Sequence, residues 1–343
     1  MGKPTPWAGY FEKSRQIAKA LNAHAEKIGE SHPEYRKVLK NYTQKHIHYN
    51  GTQFFAGFAA AGTGEDINHY LDVPILIELV MLRAYKTNRI VDRKQDVWTS
   101  DKALQRTVLE ENMLLSLKMQ LTENIRKTLD KKKFETIQRI VLELICNMGK
   151  GFWLEREKLN ANVSKNAPSG WEENYAERNH LFNAVYDYAP LVGYYCATGD
   201  NEIFSKYREF FSGEKVRISH SGQIINDLSD FANSHDEQVK SYQDNFSDLR
   251  NHIITYPIRE LISEKELVDA WEDSEIMTDP EWKAKMIEKV KKSGLPQKVK
   301  ALAAKSHADN LEFWKSAGVD DDFLSQSYGF LMHNKYFTEL EKL

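Results

Sequence analysis

The chain has 343 residues, of which 41% are hydrophobic and 28% are charged, a composition typical of a globular protein with a substantial core. Its formal net charge of −3 gives no electrostatic basis for binding nucleic acid or an anionic membrane surface. Two cysteines exclude a disulfide framework. The sequence has neither a signal-peptide core nor the ~18 uninterrupted apolar residues of a membrane span. A cytoplasmic protein without stable membrane insertion is therefore expected.

Helical periodicity and only nine prolines predict helices almost throughout the chain. In chain order the predicted helices span approximately residues 8–29, 33–46, 51–62, 71–92, 101–129, 132–148, 175–197, 201–211, 215–235, 258–273, 280–292 and 295–317. Polar or charged stretches at 155–174 and 236–257 predict loops, and strand signals are weak. The sequence thus predicts one all-α domain over residues 1–343, with the helices of 261–343 packing on the main bundle.

Two carboxylates lie in the apolar stretch GQIINDLSDF, from Gly222 to Phe231. Asp227 and Asp230 are three residues apart, so they share one face of the predicted helix, next to the amide of Asn226. Apolar side chains flank them on both sides. The acids are therefore either solvated groups on an amphipathic helix or ligands that face a cavity.

A second acidic pattern follows the apolar helix predicted at 73–82, where Asn88, Asp92 and Asp96 are spaced four residues apart. This spacing predicts that the three side chains lie on one helix face. Two such faces at the ends of apolar helices would suit Mg²⁺, a hard ion that prefers oxygen ligands. Bound there, the metal would polarise a diphosphate as a leaving group.

GQIINDLSDF resembles the second aspartate-rich motif of the trans-isoprenyl diphosphate synthases (the polyprenyl synthetase family). Further along, FSDLRNHIITYPI resembles the segment that follows this motif in the family, because Asp248-Leu249 and Thr255-Tyr256-Pro257 keep its spacing. The stretch ELVMLRAYKTNRIVD stands where the family has its first aspartate-rich motif. The resemblance covers about residues 50–260.

The resemblance implies an isoprenoid-synthase-like bundle of ten or more helices around a central cavity, and a homodimer. It implies Mg²⁺-dependent ionisation of an allylic diphosphate with prenyl transfer to an acceptor. The implied catalytic and metal-binding residues are Asp92, Asp96, Asp227 and Asp230. The implied substrate-binding residues are Asn88, Arg93, Lys94, Gln223, Asn226, Lys240 and Asp248.

The chain departs from the family pattern at the first motif and at the acceptor site. Asn88 and Arg89 replace the two leading aspartates, and Thr52, Gln53 and Ile253 stand where the family has cations. These departures predict weak binding of isopentenyl diphosphate. Two alternatives to prenyl transfer therefore stay open: a single-substrate, terpene-synthase-like cyclase or lyase, and a non-catalytic subunit or binding module of the same fold.

Overall fold

A computed structural model of the chain describes residues 8–160, 170–212, 221–229 and 246–332. Within these ranges the fold is all-α, as predicted, with an isolated antiparallel bridge between Asn160 and Ile253. The α-helices described in the first 212 residues are α1 (Ala8–Ser31), α2 (Arg36–Thr43), α3 (Tyr49–Ala60), α4 (Asp72–Val91), α5 (Gln95–Trp98), α6 (Asp101–Thr128), α7 (Lys131–Lys158), α8 (Trp171–Thr198) and α9 (Glu202–Phe210). None of the helices in the described ranges is long and apolar enough to cross a membrane.

The remaining described α-helices lie between Ser221 and Met332. They are α10 (Ser221–Ser229), α11 (Ser247–Arg250), α12 (Tyr256–Leu261), α13 (Glu264–Glu272), α14 (Pro280–Lys292), α15 (Leu295–Ser316) and α16 (Asp322–Met332). The single helix predicted at 258–273 is wrong, because Ser263 and Glu266 form a capping box that starts α13 separately from α12. Helix α16 lies within the C-terminal region predicted to be helical, beyond the last helix to which the sequence pattern gives bounds, 295–317.

Helix α7 continues ten residues beyond its predicted end, so the loop predicted from residue 155 begins too early. Gly149 and Gly151 do not end the helix. A Cβ atom at Gly151 would lie 2.6 Å from the Phe182 ring, so this glycine lets α8 approach α7 closely. The extension carries Glu155 and Arg156, which are central to the candidate site below.

Helix α4 ends at Val91, and the prediction that Asn88, Asp92 and Asp96 share one helix face is wrong. Arg93 has a left-handed backbone with φ of 51°. The Lys94 N–H donates to the Arg89 carbonyl and the Arg93 N–H donates to the Ile90 carbonyl, the two hydrogen bonds of a Schellman motif. The helix end itself agrees with the predicted span of 71–92 within one residue, but arginine at a position that glycine usually occupies gave no sign that the chain turns before Asp96. Asp96 belongs to the separate short helix α5.

Helices α3 and α8 pack backbone against backbone at two glycines. A Cβ atom at Gly57 would lie 1.9 Å from the Pro190 carbonyl oxygen, and one at Gly193 would lie 1.9 Å from the Phe54 carbonyl oxygen. No side chain larger than hydrogen fits at either point. This contact fixes α8 against the first half of the bundle and thereby positions the residues near its start.

The apolar core has two clusters of buried side chains. The first is formed mainly by α1–α4, α6–α9, the end of α15 and α16, and the second by the start of α8, α10–α15 and Leu159. Helices α8 and α15 contribute to both clusters. Helix α15 also packs against α10, and α16 packs against α3. The start of α8 is therefore a junction between the two clusters.

The close contact of α3 and α8 gives a stability prediction. Replacing Gly193 with alanine should lower the free energy of unfolding by about 3 kcal/mol, because the added methyl group forces the two backbones apart. Gly149→Ala is the matched control: nothing lies within 4 Å of its Cβ position, so alanine there should be neutral or stabilising. Urea unfolding of both variants measures the difference, and equal stabilities would contradict the packing argument.

Candidate functional site

Asp227 on α10 is buried, with 2% of its surface exposed, and its carboxylate accepts hydrogen bonds from three side chains. The Tyr175 hydroxyl donates to Oδ2 over 2.7 Å, and the Gln223 amide donates to Oδ1 over 2.9 Å. The Arg178 guanidinium donates to both oxygens, over 3.3 and 3.2 Å. Four donors therefore hold both carboxylate oxygens, and the negative charge has a directly paired cation.

Arg178 is completely buried and lies between α7, α8 and α10. Its guanidinium carbon is 5.0 Å from the centre of the Tyr175 ring and 5.7 Å from that of Phe182. Its Nε lies 3.5 Å from Oε2 of Glu155, an ion-pair distance without a well-aligned hydrogen bond. Burial raises the pKa of Glu155 to about 7 despite the opposing charge of Arg178. Arg178 thus joins carboxylates from two helices.

Asp92, at the end of α4, forms an ion pair with Arg156 of α7. The Asp92 side chain is 8% exposed, whereas that of Arg156 is 22% exposed. The Asn88 side chain also hydrogen-bonds to Asp92, and the Asn251 amide donates to its backbone carbonyl over 3.2 Å. Burial raises the pKa of Asp92, although Lys94 and Arg156 oppose this shift.

The two aspartates belong to one polar network, because Glu155 and Arg156 are adjacent in α7. Asp92 and Asp227 both raise the pKa of Glu155, which places their charges within electrostatic range of the same carboxyl group. The network lies where the two apolar clusters meet, at the start of α8. The structure therefore places Asp92 and Asp227 near the same carboxyl group of α7, and their role as site residues stays a prediction.

The other predicted residues differ in whether they interact with this network. Gln223 contacts Asp227 directly, and Asp248 interacts electrostatically with Arg178. Asn226 is exposed to solvent. Arg93 is exposed and lies 5.9 Å from the centre of the Trp98 ring. The Asp96 side chain, Asp230 and Lys240 lie outside what the structure describes, so their roles stay predictions.

The sequence interpretation missed four members of the network: Tyr175, Arg178, Glu155 and Arg156. The last two fall in the predicted loop, and the first two lie at the start of α8, where the charged residues give no sign of burial. The signal available in the sequence was weak. It consisted of Arg178 between two aromatic residues at helical spacing, Tyr175 and Phe182.

The carboxylates of the polar network have few oxygens left for a divalent cation. In the described ranges no group of three or more histidine, cysteine, aspartate or glutamate side chains could hold a metal ion. Asp227 already accepts four hydrogen bonds, and Asp92 is paired with Arg156. Mg²⁺ needs carboxylate oxygens that are free to coordinate it. As arranged, this donor set does not fit the ion.

Two of the residues at the positions of the family's acceptor-binding cations lie away from the polar network. Thr52 and Gln53 are completely buried in the first apolar cluster, and the neighbouring Gly51 N–H donates to Glu78 over 3.0 Å. Glu78 precedes Asp92 by fourteen residues of α4, which is about 21 Å along the helix axis. These two side chains are therefore core residues, separated from the polar network.

Replacing Arg178 with methionine should destabilise the fold strongly, because Asp227 would remain buried without its cation. We expect a loss of about 3–5 kcal/mol in the free energy of unfolding. The double variant Arg178→Met with Asp227→Leu removes both charges and should recover most of that loss. Chemical denaturation of the three proteins measures the coupling. A double variant no more stable than Arg178→Met alone would contradict the ion-pair argument.

Among the comparisons with known proteins, the one with solved structures found similar folds. The sequence matches no protein-family model and no curated protein. Solved structures do match: a geranylgeranyl pyrophosphate synthetase from Pyrococcus horikoshii Ot3 has a TM-score of 0.66 at 15% identity, covering 96% of this chain and 99% of that one. A polyprenyl synthetase from Streptomyces coelicolor A3(2) also has a TM-score of 0.66, at 14% identity, with 94% and 98% covered.

A third similar structure contains ligands. It is the geranylgeranyl pyrophosphate synthase of Corynebacterium glutamicum in complex with isoprenyl diphosphate and magnesium. Its TM-score is 0.61 at 15% identity, and 94% of this chain and 97% of that chain are covered. At these identities the comparisons establish the fold. The chain therefore has the all-α fold of the isoprenyl diphosphate synthases, as the sequence motifs predict.

Proposed function

We propose that this protein is an isoprenyl-diphosphate-processing enzyme of the prenyltransferase class. The observation that carries the proposal is the network in which Asp92 and Asp227, one from each predicted motif, meet at one place in this fold. The similar fold of a synthase complexed with isoprenyl diphosphate supports the same substrate class. Arg156 and Lys94, both beside Asp92, provide cations for the diphosphate.

The proposed reaction begins with cleavage of the bond between C1 and the diphosphate oxygen, and both electrons leave with the diphosphate. The double bond of an acceptor then supplies two electrons to the allylic cation, and a proton leaves the product. Arg156 and Lys94 would hold the leaving group, since a charge-assisted hydrogen bond to phosphate contributes about 1.5–3 kcal/mol. Buried apolar side chains of the two clusters, which meet at this network, would exclude water from the cation.

A non-catalytic binding module of the same fold is the second candidate. The pairing of Asp92 and Asp227 with arginines favours it, because a divalent ion at these acids would require both pairs to separate. No step of the proposed reaction therefore depends on Mg²⁺, and the test compares the reaction with and without the ion.

The test is incubation with allylic diphosphates of several chain lengths, with and without isopentenyl diphosphate, in Mg²⁺ or in a chelator. We expect release of inorganic diphosphate and a prenyl product. Lys94→Ala should lower the rate by about tenfold or more, because it removes one charged contact to the leaving group. Lys102→Ala, at an exposed position of α6, is the matched control and should keep the parent rate. Binding without any product would favour the non-catalytic module.

We also propose a homodimer through an exposed apolar stripe of α6. Leu109 and Met119 are 64% and 67% exposed, and Val108 and Leu115 extend the same surface. Such a stripe is typical of an interaction site. Met119→Glu should shift the protein towards the monomer in light scattering, because a charge would be buried at the contact. Met119→Leu should remain dimeric, and a parent protein that is monomeric at micromolar concentration would contradict the proposal.

A further inference from the structure

The two arginines of the polar network differ in how firmly they are held. Arg178 is completely buried, donates to both oxygens of Asp227 and faces Glu155 as well. Arg156 is 22% exposed and contacts Asp92 through Nη2 alone. The Nε of Arg156 is buried and has no hydrogen-bond partner among the described residues. A guanidinium has five N–H donors, so most of those on Arg156 remain available.

The charges around Arg156 come from two described segments. Asp92 and Lys94 lie at the end of α4, and Glu155 and Glu157 flank Arg156 on α7. Glu155 faces Arg178, and Glu157 is exposed to solvent. Asp92 is therefore the carboxylate that occupies Arg156, while Lys94 adds a second cation beside the same pair.

An ion pair that is buried and hydrogen-bonded through both carboxylate oxygens resists exchange, whereas a partly exposed pair joined by one contact can exchange its anion. A phosphate group offers Arg156 more acceptor oxygens than one carboxylate oxygen does, and arginine binds phosphate through two parallel hydrogen bonds. We propose that Arg156 is an anion-exchange residue: in the free protein it binds Asp92, and in the complex it releases Asp92 and binds a phosphate group of the ligand. Arg178 remains on Asp227 in both states.

This inference rests on the proposed function, because it names the residue that receives the diphosphate of the isoprenyl substrate. It differs from a metal-bridged site in one respect that can be measured. If Asp92 held the ligand through a cation, neutralising Asp92 would weaken binding of the anion. If Asp92 competes with the anion for Arg156, neutralising Asp92 strengthens that binding.

The experiment is titration calorimetry of the full chain with inorganic pyrophosphate in a buffer that contains a metal chelator. Asp92→Asn should bind pyrophosphate about five times more tightly than the parent, since a competing ion pair of about 1 kcal/mol is removed. Arg156→Gln should lose about tenfold or more in affinity, because its charged contacts to phosphate disappear.

Two variants control for the change in net charge. Glu157→Gln removes a negative charge from an exposed neighbour of Arg156, and Arg139→Gln removes a positive charge from an exposed position of the same helix. Both should stay within twofold of the parent. Thermal melts followed by circular dichroism verify that every variant is folded.

Three results would overturn the inference: an Asp92→Asn variant that binds no more tightly than Glu157→Gln, an Arg139→Gln variant as weak as Arg156→Gln, or no pyrophosphate binding by any of the proteins. The measurement involves no turnover. Failure of the exchange is therefore distinguishable from failure of the proposed reaction, which the product assay decides separately.

Discussion

The pairing of Arg178 with Asp227 is the interaction on which the end of the bundle depends. Moving an isolated charge from water into a protein interior costs several kcal/mol, so neither side chain could be buried here without the other. Tyr175 and Gln223 donate further hydrogen bonds to the carboxylate, and Glu155 lies at ion-pair distance from the guanidinium. The pair joins α8 to α7 and α10, and it does so where the two apolar clusters meet.

The acids of the two motifs are both paired with arginines. In this arrangement the negative charge of Asp227 and Asp92 is balanced by guanidinium groups from α8 and α7. The pair of Arg178 and Asp227 is buried, whereas Arg156 of the second pair is partly exposed to solvent. Cations that could receive an anionic ligand therefore lie at the edge of the network, beside Asp92, and its interior serves the stability of the fold.

Local patterns predicted most of the helices and both acidic stretches, because helical periodicity and capping depend on residues close in sequence. The errors arose where a local signal was absent or pointed the wrong way. The helix predicted at 71–92 ends within one residue of α4, but Arg93 stands where glycine usually marks a helix end, so Asp96 was wrongly placed on the same helix face as Asn88. Gly151 serves the contact with Phe182 and does not break α7, so the helix extension that carries Glu155 and Arg156 was missed.

The sequence by itself determined the all-α class, the resemblance to isoprenyl diphosphate synthases and the choice of Asp92 and Asp227 as site residues. Each of these follows from residue type and spacing along the chain. Only the tertiary structure decided which cations accompany the aspartates. Arg156 and Arg178 are separated from Asp92 and Asp227 by 64 and 49 residues. A buried arginine has the same local sequence pattern as a solvated one, and its burial is set by helices that pack from distant parts of the chain.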